Sequence, residues 1–119
     1  MSKIRTTTPL KIISGILLSF LVSNAKANPS DCPSEFYQLP LVTSATYCQL
    51  FNQALPASLS YFVATSPSDA KAFYLAALGE PEQEFTEKGR AVLLYKGGVQ
   101  TIIISIDKQG SQVDILVKQ

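Results

Sequence analysis

The amino-acid sequence predicts an α+β fold: an antiparallel β-sheet of four to five strands with one main helix packed on one face, plus an N-terminal signal helix. Three observations predict it. Residues 66–79 carry the start, periodicity and stop of a helix. Residues 90–118 hold three runs of apolar and β-branched residues separated by glycine-containing turns. The first 27 residues follow the order of a secretory signal.

In that leader, Lys3, Arg5 and Lys11 make a positive start with no acidic residue among them. Residues 12–22 (IISGILLSFLV) are an apolar stretch, and residues 23–27 (SNAKA) follow. They place Ala25 and Ala27 at the third and first positions before a cut, the small-residue pattern that a signal peptidase accepts. A helix needs about 20 apolar residues to cross the hydrocarbon core, more than this stretch offers, so no stable membrane anchor is expected after cleavage. Cys32 follows Pro29, Ser30 and Asp31, which do not match the small apolar residues that precede a lipid-modified cysteine. The expected product is exported, to the periplasm or the extracellular space. Residues 1–27 are thus expected as a cleavable signal peptide, 28–44 as an extended N-terminal segment tethered by a disulfide, and 45–119 as one small α+β domain.

Cleavage changes the charge balance. The chain has ten basic and nine acidic residues and no histidine. A cut after Ala27 removes Lys3, Arg5, Lys11 and Lys26, so six basic residues face nine acidic ones and the formal charge becomes −3 instead of +1. The six that remain are scattered, which argues against nucleic acid, whose binding rests on neutralising many phosphates. Adsorption to anionic lipid is disfavoured for the same reason. Cys32 and Cys48 are the two cysteines, and in an oxidising compartment they are expected to pair. The bridge would close a loop of 16 residues, worth about 3 kcal/mol on the chain-entropy model. Without histidine or a C-x-x-C spacing, a zinc or redox pair is the weaker reading.

Along the remaining chain, residues 28–44 are rich in Pro and Ser, with Phe36, Tyr37, Leu39 and Leu41 as anchors. Residues 45–52 (ATYCQLFN) and 58–65 (SLSYFVAT) are β-prone, and residues 53–57, with Pro56, connect them. Leu59, Tyr61 and Val63 share one face of the second run, while Ser58, Ser60 and Phe62 share the other. Both faces are partly apolar, so this strand is expected to be covered on both sides.

Ser66 is a natural N-cap, Pro67 suits the first helical position and Asp69 stands three residues after the cap. Ala70, Phe73 and Ala77 recur at helical spacing with Tyr74 and Leu78 beside them; Gly79 and Pro81 end the run. Residues 84–87 offer a short strand, and 90–96, 99–107 and 111–118 offer stronger ones. Gly97 and Gly98 are expected to form a two-residue hairpin turn. The run VQTIIISID would aggregate at an edge, so it belongs inside the sheet beside the last strand. One helix covers one face. The other, with Ile103 and either Leu93 or Leu94, is expected to lie mostly beneath the tethered N-terminal segment.

This order of elements resembles small, mostly uncharacterised extracytoplasmic α+β modules of bacterial envelope proteins and lipoproteins. The resemblance spans roughly residues 58–118 and rests on Ser66, Pro67, Asp69, Phe73, Tyr74 and the Gly97-Gly98 hairpin. These are fold-forming residues, so it implies an architecture and no activity.

The absence of histidine excludes Ser-His and Cys-His nucleophile–base pairs and H-E-x-x-H zinc sites, and no P-loop or G-x-G-x-x-G loop occurs. Glu80, Glu82, Glu84 and Glu87 form the one acidic cluster. If extended, the first three would point one way as a weak calcium site or carboxylate pair; the competing reading is a solvated loop balanced by Lys88 and Arg90. No catalytic, cofactor-binding or metal residue is assigned, and no cofactor is expected. Phe36, Tyr37, Tyr47, Phe51, Tyr61 and Phe62 are expected mostly in the core, with a minority lining a groove between the N-terminal segment and the sheet.

The expected function is that of a non-enzymatic binding or interaction module of the periplasm or extracellular space. Its partner would be another envelope or secreted protein, added along the edge of the last strand; a homodimer is also expected as an option. The alternative is a small secreted inhibitor or toxin-like effector acting on another enzyme or cell.

Overall fold

Side chains alternate across a strand, so the apolar pattern of each run decides which way it faces. The computed structural model describes residues 32–119, and there the pattern resolves into eight strands and one long helix. The signal helix, Ala25 and Ala27 lie outside the described residues. In chain order the strands are β1 (Glu35–Phe36), β2 (Leu39–Pro40), β3 (Thr46–Phe51) and β4 (Ala57–Val63). Helix α1 (Pro67–Leu78) follows, then β5 (Gln83–Glu87), β6 (Arg90–Tyr95), β7 (Gln100–Asp107) and β8 (Gly110–Val117). Strands β3 to β8 form one antiparallel sheet in the order β3-β4-β8-β7-β6-β5, while β1 and β2 pair separately as a small hairpin. The sheet therefore has six strands, where the sequence predicted four to five. All six correspond to runs that the sequence offers as strands; residues 45–52 and 84–87, the weakest of them, become the two edges, so the expected total was too low.

Strand β7 is interior, beside β8, as its isoleucines require. Strand β8 is interior too, held between β4 and β7 along its whole length. The expectation of a partner on the edge of the last strand is thereby overturned: β8 has no free edge, and the edges are β3 and β5. The turn after β6 also differs. Tyr95 pairs with Gln100, so the loop has four residues, with Lys96, Gly97 and Gly98 all at positive φ. Two-residue turns occur instead at Lys88-Gly89, between Glu87 and Arg90, with φ of 54° and 79°, at Lys108-Gln109 between Asp107 and Gly110, and at Tyr37-Gln38 between β1 and β2.

Helix α1 starts as its sequence dictates. The Ser66 Oγ accepts from the Asp69 N–H at 3.1 Å, and at the other end the Gly79 N–H, on a residue of φ 84°, donates to the Leu75 carbonyl at 2.9 Å. The Tyr95 hydroxyl, from β6, donates to the Gly79 carbonyl at 2.9 Å. Ala70 and Tyr74 are buried against the sheet, with Phe73 and Leu78 half-buried beside them; Ala77, expected on that face, is exposed.

The core lies on one side of the sheet only. Leu59, Tyr61 and Val63 of β4, Val113 and Ile115 of β8, Ile102 and Ile104 of β7, and Leu93 of β6 meet Ala70 and Tyr74 there. Phe36, Leu39 and Leu41 belong to the same cluster. The N-terminal segment therefore packs beside the helix, on the face it shares, and does not cover the opposite one as expected. The segment enters the sheet through a bulge in β3. Thr46 pairs with Phe62 and Gln49 with Ser60, so Tyr47 and Cys48 together stand opposite the single residue Tyr61. Cys48 packs against the core and holds Cys32 there through a disulfide, with Cα atoms 5.5 Å apart. Two hydrogen bonds continue the attachment: the Val42 N–H donates to the Tyr61 hydroxyl at 3.2 Å, and the Tyr61 and Tyr74 hydroxyls meet at 2.6 Å.

Candidate functional site

Each sheet strand sends every second side chain to the face away from α1. The pairing register arranges these into rows across the sheet. One row reads Phe85, Val92, Ile103, Asp114, Ser60 and Gln49, each opposite the next. The next reads Gln83, Leu94, Thr101, Leu116, Ser58 and Phe51. On the other side of the first row, Ser105, Gln112, Phe62 and Thr46 follow one another, with Arg90 at the β6 end. The ambiguity between Leu93 and Leu94 is settled by register: Leu93 opposes Ile102 in the core, and Leu94 opposes Thr101 on the open face.

The open face divides in two. Towards β5 it is apolar, with Phe85, Val92, Leu94, Ile103 and Leu116; these are half-buried by one another, except Val92, which is buried, and Phe85, which is 42 % exposed. Val92 is buried without joining the core cluster, as its opposite orientation demands. Towards β3 the face is polar. The Ser60 hydroxyl hydrogen-bonds the Asp114 carboxylate, to which the Gln112 amide also donates at 3.1 and 3.2 Å. At this polar corner a shallow depression of about 490 Å³ is lined by Tyr47, Gln49, Ser60, Phe62, Lys108 and Gln112. Arg90 borders the apolar part; its Nε is buried and has no hydrogen-bond partner among the described residues.

Gly110 shapes the same corner. A Cβ there would sit 2.4 Å from the Val63 carbonyl oxygen and 2.7 Å from the Phe62 ring, so only glycine lets that ring lie across the turn. The titratable groups that depart from ordinary behaviour lie elsewhere. Burial pushes the Tyr61 and Tyr74 phenols up in pKa, Tyr74 further because it faces Tyr61. Burial and then the Glu80 and Glu84 charges push Tyr95 up. All three serve to join elements on the covered side, where a neutral hydroxyl is the form that fits.

The sequence-derived candidates fall out as follows. Cys32 and Cys48 are bonded. Glu80, Glu82 and Glu84 do not converge: Glu82 accepts from the Gly97 N–H at 2.6 Å, and Glu84 forms an ion pair with Lys71 of α1. Among the described residues no group of three or more acidic or cysteine side chains is placed to hold a metal ion. Of the six aromatics, Phe36 and Tyr61 are buried and Phe62 is half-buried, while Tyr37, Tyr47 and Phe51 are exposed. Tyr47 and Phe62 do line a depression, but on the open sheet face instead of beneath the N-terminal segment. Sequence reasoning passed over Asp114 and Leu116. Their signal was present in QVDILV, where Val113, Ile115 and Val117 occupy one parity and Asp114 and Leu116 the other.

No described helix is long and apolar enough to cross a membrane. Compared with protein families, with curated proteins and with solved structures, the chain matches none.

Proposed function

We propose that this protein is a non-enzymatic binding module of the periplasm or extracellular space, and that another exported protein docks on the open face of its sheet. The observation that carries this reading is the one-sided core. Among the described residues, helix α1 and the N-terminal segment are the elements outside the sheet, and both occupy the same side of it. That leaves Phe85, Val92, Leu94, Ile103 and Leu116 contiguous on the other.

The form of the face favours a protein over a small molecule. Six strands at about 4.8 Å spacing make a surface some 25 Å wide, and the depression at its polar corner is shallow. An apolar half flanked by Arg90, Asp114, Gln112 and Ser60 suits a protein interface, with the polar groups setting register and excluding wrong partners. Export is the reading of the leader residues Lys3 to Ala27, and the Cys32–Cys48 bridge accords with an oxidising compartment.

The test is site-specific photo-crosslinking of the exported protein in intact cells. A crosslinker at Thr101 or Leu94 on the open face should yield one adduct of defined mass, and one at Ala72 or Ala76 on the outer side of α1 should not. Ile103→Lys should reduce the open-face adduct at least ten-fold while the variant still folds. Equal labelling from both sides, or an adduct indifferent to Ile103→Lys, sinks the proposal.

A further inference from the structure

The two edges of the sheet are not equivalent. Edge β3 is interrupted by its bulge, with Tyr47 at φ 56° and Cys48 tied to Cys32, so it offers no straight run of backbone. Edge β5 is regular: its five residues, Gln83–Glu87, pair with β6 without a register shift, and all five are exposed. Its outer N–H and C=O groups face away from β6 and, among the described residues, have no strand beside them. Such an edge is a template for another strand unless charge or shape blocks it.

We infer that β5 pairs antiparallel with β5 of a second copy of this chain, in a register centred on Phe85, to make one continuous twelve-stranded sheet. The register follows from side-chain chemistry. Two-fold pairing within a shared sheet brings residues of the same parity together. A centre at Glu84 would set two carboxylates directly opposite each other, which is destabilising. A centre at Thr86 would carry Gln83 and Glu84 past the strand end, onto the Lys88-Gly89 turn. A centre at Phe85 uses all five residues: Phe85 meets Phe85, Glu84 meets Thr86, and Gln83 meets Glu87, with no like charges opposed.

The two Glu84 carboxylates are then diagonal neighbours, and each is already paired with its own Lys71 on α1. The two Phe85 rings meet on the open face, extending each apolar row into that of the other copy as Val92, Phe85, Phe85 and Val92. A point-group contact of this kind closes on itself and does not propagate into a fibre. It occupies the edge and leaves the open face available, so it stands or falls apart from the docking proposal.

The register supplies the experiment. Residues directly opposite in an antiparallel pair have Cα atoms about 4.5–5.5 Å apart, within disulfide range, whereas diagonal neighbours lie about 7–8 Å apart and outside it. Three variants of the exported protein, Glu84→Cys, Phe85→Cys and Thr86→Cys, are oxidised and run without reductant. Phe85→Cys should form most of the covalent dimer, at least five-fold more than either neighbour. The unmodified protein should double in mass with rising concentration by light scattering, and Thr86→Pro should keep it monomeric. Equal crosslinking at all three positions, crosslinking at none, or a strictly monomeric unmodified protein at about 1 mM overturns the inference.

Discussion

The two faces of the six-stranded sheet are built from the same strands, yet they obey different rules. On the covered face, neighbouring rows interlock: Leu59, Ile115, Ile102 and Leu93 run across four strands in register, and each is fully buried. On the open face the corresponding row, Val92, Ile103, Asp114 and Ser60, passes from apolar to polar within the same span. Folding requires the first row to be apolar throughout, because α1 and the N-terminal segment exclude water from it. Nothing in folding requires the second row to begin apolar. Its apolar half is the observation on which the docking proposal rests, and its polar half has the composition of a solvated sheet surface.

Two adjacent isoleucines of β7 report separately on the two faces. Ile102→Ala on the covered face should cost about 2–5 kcal/mol, the range for removing a buried branched side chain, and Ile103→Ala about 1 kcal/mol or less because it is half-buried. Urea unfolding of the two variants measures the difference; equal costs would mean that the faces are equally packed.

The tether comes next in size. Replacing both Cys32 and Cys48 by alanine should cost about 3 kcal/mol. Limited proteolysis should then cut in residues 32–44 before any strand of the large sheet, since the segment's remaining ties are its apolar contacts and a few hydrogen bonds. Simultaneous loss of segment and sheet would show that the covered face needs the segment in place to form.

The smallest effects concern the buried hydroxyls. Tyr61→Phe strands both the Val42 N–H and the Tyr74 hydroxyl and should cost about 1–3 kcal/mol, whereas Tyr74→Phe leaves Val42 its partner and should cost about 1 kcal/mol. Both phenols have pKa values raised above the ordinary 10.0. Their contribution is therefore complete below pH 10 and is lost as the pH rises above it, when the unfolded chain releases protons that the folded chain retains. Denaturant midpoints taken from pH 8 to pH 11 should fall more steeply for the unmodified protein than for Tyr74→Phe; parallel curves would mean that the pair is not desolvated.

Much of this architecture is legible in the sequence where a local rule determines it. The S-P-x-D start and glycine stop of α1, the interior placement of β7 and the cysteine pair all follow from residues close in the chain or from a single covalent option. What escaped depends on relations between distant residues. The strip QEFTE was legible as a short strand over residues 84–87, but with one apolar residue it gives no alternation from which its place at the sheet edge could be read. The bulge at Tyr47 and Cys48 turns on how β3 meets β4, a relation between distant residues that the local run does not display. The open face was legible as a set of unplaced apolar residues, but the sequence did not say that they would remain uncovered.

The position of β8 has a consequence for how the molecule comes into being. Strands are made in numerical order, yet this one lies between β4 and β7 and contributes a full row of partners to each. Until residues 110–117 have emerged, the β3–β4 hairpin and the β5–β6–β7 meander are two separate pieces, each with a long, apolar, unpaired interior edge. Assembly therefore waits for the last of the six described sheet strands to emerge, and a chain cut short before Gly110 would present two adhesive edges instead of one finished sheet.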